Sequence, residues 1–169
     1  MNNFKIFLLT FLLFILHFTH SNSAEKIAFL DLDYVVKNSN IGIEVIKKID
    51  LLNNQNLEEL QKKQNQLKKL ENEIKRKQNI VSSEEIKKEI DNLKNKIKSF
   101  NEEKNFMVTE YNNFKNKELD NLMSKINPII QQYMKKNSIE ILLDRKNIYI
   151  GDVNSDLTEI IINEINKIN

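Results

Sequence analysis

The chain of 169 residues has no cysteine and no tryptophan, one proline, two glycines and two histidines. Without cysteine there is neither a disulfide framework nor a thiolate metal site. Both histidines, His17 and His20, fall in an apolar N-terminal segment, so nothing beyond it supplies His or Cys. Those two side chains stand behind most nucleophile and general-base chemistry. Carboxylates alone can cleave glycosides, but only inside a shaped cleft, and long charged helical stretches with only Gly42 and Gly151 do not read as a cleft. The expectation is a non-enzymatic protein with no metal and no cofactor.

The N-terminus reads as an export signal. One lysine, Lys5, precedes the apolar run Ile6–Phe18, and Ser21, Asn22, Ser23 and Ala24 supply small residues for a peptidase. That run holds 13 residues, whereas a helix needs about 20 to cross a bilayer. The expected signal is residues 1–23, cut at 23/24 or 24/25, and the remainder is expected outside the cytoplasm. The length left, about 145 residues, suits one domain.

From Glu44 to Lys136 the helical vocabulary is broken only by Pro128, expected to mark a kink near the body. Apolar residues recur at sevens in the second half, at Ile86, Leu93, Phe100, Met107 and Phe114, with Ile90, Ile97 and Tyr111 on a companion column. The first half carries Ile46, Leu60, Leu67 and Ile74 with Ile49 and Leu70, interrupted by Asn53, Asn56 and Lys63. Folding the chain at residue 80 sets the two seams face to face in layers whose numbers sum to 160, such as Leu60 with Phe100 and Leu67 with Leu93. Ser82-Ser83-Glu84-Glu85 reads as a capping box that starts the returning helix, placing the tip at 79–82. The aromatic residues Phe100, Tyr111 and Phe114 are read as seam packing. The result is an antiparallel helical hairpin over 44–136, on the order of 50 Å from Ile46 to its tip at about 1.5 Å per residue.

So thin a rod must be rooted elsewhere, and the two chain ends supply the material. Ile27–Leu30 reads as a buried strand, and Asn38–Gly42 as a turn before the long helices. Ile139–Leu143 and Ile148–Ile150 read as a β-hairpin or two nearby strands. Ser155 or Asp156 caps a last helix carrying Leu157, Ile160, Ile161 and Ile165. The expected fold is α+β, mostly α: a small body from 25–43 and 137–169 with a long coiled-coil projection. Its expected core is Ile27, Phe29, Ile139, Ile141, Leu143, Ile148 and Ile150. A body with so few strands buries little area and calls for oligomerisation.

Two segments carry a family resemblance. Lys26-Ile27-Ala28-Phe29-Leu30-Asp31 with Val35-Val36, Ser39 and Gly42 resembles the opening signature of the Skp/OmpH family of periplasmic chaperones. Leu142-Leu143-Asp144-Arg145 and Asp156-Leu157-Thr158-Glu159-Ile160 are similar to its closing strand-and-helix pattern. The resemblance implies a homotrimer with a shared β core, in which three helical tentacles surround unfolded outer-membrane proteins without ATP. No Gly-rich phosphate loop is present to suggest otherwise.

Familiar members are strongly basic, and this chain departs from them with a formal net charge of +2. The charge is unevenly placed. Residues 44–136 hold 20 Lys/Arg against 15 Asp/Glu, or +5, while 25–43 and 137–169 hold 5 against 9, or −4. Lys62, Lys63, Lys68, Lys69, Lys75, Arg76 and Lys77 are the densest stretch and the candidate contact face for acidic clients, anionic lipid or lipopolysaccharide. As a bland alternative they are a solvated coiled-coil face. The candidate seam is Leu60, Leu67, Leu70, Ile74, Ile86, Ile90, Leu93 and Phe100. Two other functions compete: an envelope structural coiled coil held by an uncleaved signal, and nucleic-acid binding. Export and near-neutral charge count against the second.

Overall fold

The computed structural model describes residues 25–168; the expected signal segment lies outside them. In order, the elements are β1 (Ile27–Leu30), α1 (Leu32–Asn38), α2 (Asn40–Lys77), α3 (Ser83–Lys136), β2 (Ile141–Asp144) and α4 (Thr158–Lys167). Short 3-10 turns at Arg145–Asn147 and Val153–Ser155 lie between β2 and α4. No helix among the described residues is long and apolar enough to cross a membrane.

The sheet has two strands, and they run parallel, with Ile27 opposite Ile141 and Leu30 opposite Asp144. The long helices are thus the crossover between paired strands, as a parallel pair requires. On its other edge β1 makes an isolated bridge from Phe29 to Asp156, with Leu157 N–H donating to the Phe29 carbonyl at 2.8 Å. The expected strand at Ile148–Ile150 does not form. Tyr149 and Ile150 are 98% and 83% exposed, and the tripeptide pairs with neither strand of the two-stranded sheet.

The expected turn at Asn38–Gly42 shrinks to one residue, and α2 starts at Asn40 rather than near Glu44. Ser39 does both jobs: its N–H closes α1 on the Val35 carbonyl, and its Oγ accepts from Gly42 N–H to cap α2. Asn40 N–H is taken by the Asn166 side chain at 2.8 Å, tying this corner to α4. Pro128 lies inside α3, within its last turns at the body. Pro128 lacks an N–H to give the helix and its ring crowds the carbonyl four residues back; it lies exposed, while Ile126 and Ile130 on either side are buried.

One core joins all elements of the body. Ala28 and Leu30 of β1, Val35 of α1, Leu122, Ile126 and Ile130 of α3, Ile139, and Leu157, Ile161, Ile162 and Ile165 around α4 form a single buried cluster. Leu122, Ile126 and Ile130 recur at four residues, one helical stripe. The projection read from sequence as 44–136 therefore lends its last turns to the body. The N-cap position of α4 is Leu157, which offers no side-chain cap, rather than the expected Ser155 or Asp156; Asp156 stands one residue earlier, its Oδ1 accepting from Thr158 N–H at 3.0 Å.

The polar signature residues converge here. Asp31 caps α1 through Tyr34 N–H, and its own N–H donates to Thr158 Oγ1 at 2.9 Å. Thr158 Oγ1 donates onward to Asp156 Oδ1, while Arg145 holds Asp156 Oδ2 at 2.9 Å. Thr158 is itself buried, so this chain satisfies groups that would be costly if left unpaired.

Gly42 marks a close approach of α1 and α2. A Cβ there would lie 1.8 Å from the Val36 carbonyl oxygen and 2.8 Å from Ser39 Oγ. Gly42→Ala must push the two helices apart against backbone, and is expected to cost about 1–3 kcal/mol. Thermal denaturation followed by circular dichroism reads it; an unchanged midpoint would show that the corner yields freely.

Candidate functional site

Nothing among the described residues gathers His, Cys, Asp or Glu into a metal-holding group, and the surfaces that stand out are those of the helical pair and the sheet. The seam residues take their places between α2 and α3. Ile74 and Ile86 are buried near the tip, and Leu60, Leu67, Leu70, Ile90, Leu93 and Phe100 are half-buried. Ile97 stays 41% exposed, and Lys104, which falls on the same column between Ile97 and Tyr111, is exposed while Glu103 turns inward.

That last difference reports the register. Three ion pairs cross between the helices: Lys48 to Glu118 at 3.9 Å, Lys63 to Glu103, and Lys77 to Glu89 at 2.7 Å. The numbers of each pair sum to 166, and Leu67, Leu70 and Phe100 line one groove with Lys63 and Glu103. The layers expected at 160 are therefore slid by about one heptad, so Phe100 sits beside Leu67 rather than Leu60. A seven-residue repeat is unchanged by a slide of seven, so the apolar columns cannot choose between the two. Side-chain direction favours the longer sum, because side chains lean toward the N-terminus of their own helix and so lean oppositely along an antiparallel pair.

The candidate basic face splits in two. Lys63 and Lys77 serve the helical pair rather than the surface. Hydrogen bonds to Glu103 and then Glu59 hold the Lys63 ammonium above its ordinary value, and Glu89 does the same for Lys77. A raised pKa gives stability that is present below the unfolded lysine value and lost only as pH rises through the folded one, so these links are constant across neutral pH. Lys75 pairs with Glu71 at 2.7 Å on its own helix. Lys62, Lys68, Lys69 and Arg76 are exposed and have no ion-pair partner among the described residues.

Of the expected body core, Phe29 and Ile139 are buried and Ile148 half-buried. Ile27, Ile141 and Leu143 are 49%, 39% and 41% exposed, and Ile150 is nearly bare. Pleating explains this. Ala28, Leu30 and Leu142 point into the core, while Ile27, Phe29, Ile141 and Leu143 share the opposite face. Gly151 packs over the Phe29 ring, where a Cβ would lie 2.6 Å from Cε1, and among the described residues the rest of that face stays exposed. Beside it, Lys146 donates to Asp33 at 2.7 Å and holds that carboxyl below its ordinary value, a contribution kept above the ordinary carboxylate pKa and lost as pH falls through the lowered one.

A family model for outer membrane proteins of OmpH-like type matches residues 26–165. The chain belongs to the OmpH-like family. The crystal structure of an OmpH-like protein from Caulobacter crescentus CB15, named for an outer-membrane chaperone role, superposes with a TM-score of 0.76. Identity is 17%, and 89% of each chain is covered, so the likeness speaks for the fold. No curated protein matches. The OmpH-like match spans β1 through most of α4, taking in both the body and the helical pair.

Because the chain has no cysteine, the register can be read by crosslinking. Leu67→Cys with Phe100→Cys is expected to close a disulfide under mild oxidation faster than Leu67→Cys with Leu93→Cys. Non-reducing electrophoresis reports the rates, and the reverse order would restore the layers that sum to 160.

Proposed function

We propose that this OmpH-like protein is an ATP-independent holdase chaperone of the periplasm, working as a homotrimer that keeps unfolded outer-membrane β-barrel proteins from aggregating. The observation that carries the reading is the pairing of a small body, one apolar sheet face uncovered, with a long helical pair bearing unpartnered cations. Export by cleavage of the N-terminal segment, an expectation from the sequence, supplies the compartment. The chaperone role named for the Caulobacter protein agrees in kind. No chemistry is needed: a holdase works by offering weak contacts over a large surface, which thin helices mounted on a body provide.

The body faces support the trimer. Apolar side chains at Ile27, Ile141 and Leu143 lie next to the Ile148–Val153 loop, where Tyr149, Ile150 and Val153 are each more than 80% exposed. Apolar surface of this kind on a small body marks an interaction site, and in an assembly Ile148–Ile150 gains the edge it lacks in the lone chain. Ile141→Asp with Leu143→Asp is expected to shift the protein to monomer in analytical ultracentrifugation while leaving helicity unchanged, since neither side chain belongs to the core cluster. Trimers that persist with both aspartates in place would put the interface elsewhere.

The helical pair is the part expected to meet clients. Joining Leu52 to Lys115 by a short turn removes 53–114 in whole layers under the observed register, leaving Ile49 and Glu118 to close the stump. This shortened chain is expected to assemble normally and to lose protection of a urea-denatured β-barrel membrane protein in a light-scattering assay. Undiminished protection would place the function in the body.

A further inference from the structure

We propose that the helical pair contacts clients through one helix only: the outward face of α2 is the docking strip for net-acidic segments of extended polypeptide, and the outward face of α3 is not. This rests on the holdase reading and adds which surface recognises the client and by what chemistry.

The heptad frame separates the faces. With the seam of α2 at positions a (Ile46, Leu60, Leu67, Ile74) and d (Ile49, Leu70), the outward positions are b, c and f. Over residues 47–76 of α2 these hold seven Lys/Arg, from Lys47 to Arg76, against Glu58 alone, a net +6. With Leu93 and Phe100 at d and Ile90 at a, the same outward positions over 84–116 of α3 hold Lys88 and Lys98 against Glu84, Glu85, Asp91 and Glu102, a net −2. Two helices of one hairpin thus differ by eight charges on their outer faces, an asymmetry hidden in a nearly neutral chain.

Pairing sharpens the contrast. Both outward cations of α3 are answered on their own helix, Lys88 by Glu84 at 3.4 Å and Lys98 by Glu102 at 3.9 Å. On α2, Lys62, Lys68, Lys69 and Arg76 have no such partner among the described residues. The α2 strip is about 45 Å long at 1.5 Å per residue. Lys47 and Lys48 stand about 21 Å before the others, and from Lys62 to Arg76 each cation stands within roughly one screening length of the next, about 8 Å at physiological salt. Their fields merge into a line of positive potential matched to an extended acidic chain rather than to a single anion. Apolar exposure does not distinguish the helices, since Leu51 and Leu57 on α2 are balanced by Phe106 and Val108 on α3. Charge does.

The test compares two triple neutralisations of equal charge in the full-length mature protein: Lys62→Gln, Lys69→Gln and Arg76→Gln on α2, and Lys88→Gln, Lys94→Gln and Lys98→Gln on α3. All six side chains are exposed, and matching circular dichroism and sedimentation confirm that fold and assembly are kept. The probe is a urea-denatured β-barrel membrane protein of net negative charge, titrated by fluorescence at low and at half-molar salt. The α2 triple is expected to weaken binding about tenfold at low salt, from three exposed pairs of modest strength, and to flatten the salt dependence. The α3 triple is expected to change affinity less than twofold. Equal losses would mean that only total charge matters, and no loss from either would mean that α2 is merely solvated; each overturns the proposal. So would an α2 triple that binds the client normally but loses binding to vesicles containing anionic phospholipid, which would assign the strip to a membrane. If the unsubstituted protein fails to bind the probe at all, the holdase reading falls too; if it binds and the triples do not differ, only the one-sided strip falls.

Discussion

Everything outside the body depends on how α3 is anchored. A pair of helices in water buries apolar surface only along its seam, and here most seam residues remain half-exposed while Lys63 and the paired Glu103 intrude. At roughly 25 cal/mol per Å² of apolar area, such a seam holds the helices together but does little to fix their direction. Direction comes from Leu122, Ile126 and Ile130, which carry one stripe of α3 into the cluster with Leu30, Val35, Ile161 and Ile165. The same core receives α2 at its start, where Ser39 caps it and Gly42 lets α1 come close. Both helices thus leave the body from fixed points.

The polar signature residues have a shared physical role. Asp31 is 127 residues from Thr158 in sequence, yet Asp31, Arg145, Asp156 and Thr158 join in one hydrogen-bonded chain where β1, the β2–α4 loop and α4 meet. Buried donors and acceptors left unmatched cost more than the bonds themselves contribute, which is why this junction is specified by polar residues rather than by more aliphatic ones. The junction also sets which face of β1 and β2 looks outward, and so where the body's uncovered apolar surface lies.

Charge is distributed by element rather than by total. The g-flank carboxylates Glu89 and Glu103 draw Lys77 and Lys63 into the helical pair, while Lys62, Lys68, Lys69 and Arg76 on the outer face of α2 keep no ion-pair partner among the described residues. A net charge near zero therefore describes neither helix face.

By itself the sequence determined a great deal: two helices from heptad columns and a capping box, a first strand from Ile27–Leu30, a last helix after Asp156, and the family from short signatures at both ends. These are local signals, with partners within a few residues or at fixed periods. What only the tertiary structure decided were the relations between distant segments. Register was ambiguous because a slide of seven preserves every apolar column, and it took Lys63, Lys77 and Lys48 finding their carboxylates to choose. The parallel pairing of Ile27–Leu30 with Ile141–Asp144, the recruitment of Leu122 to Ile130 into the body, and the failure of Ile148–Ile150 to form a strand were equally out of reach. A strand is defined by the edge beside it and a core residue by what packs on it, and neither neighbour is written at the position itself.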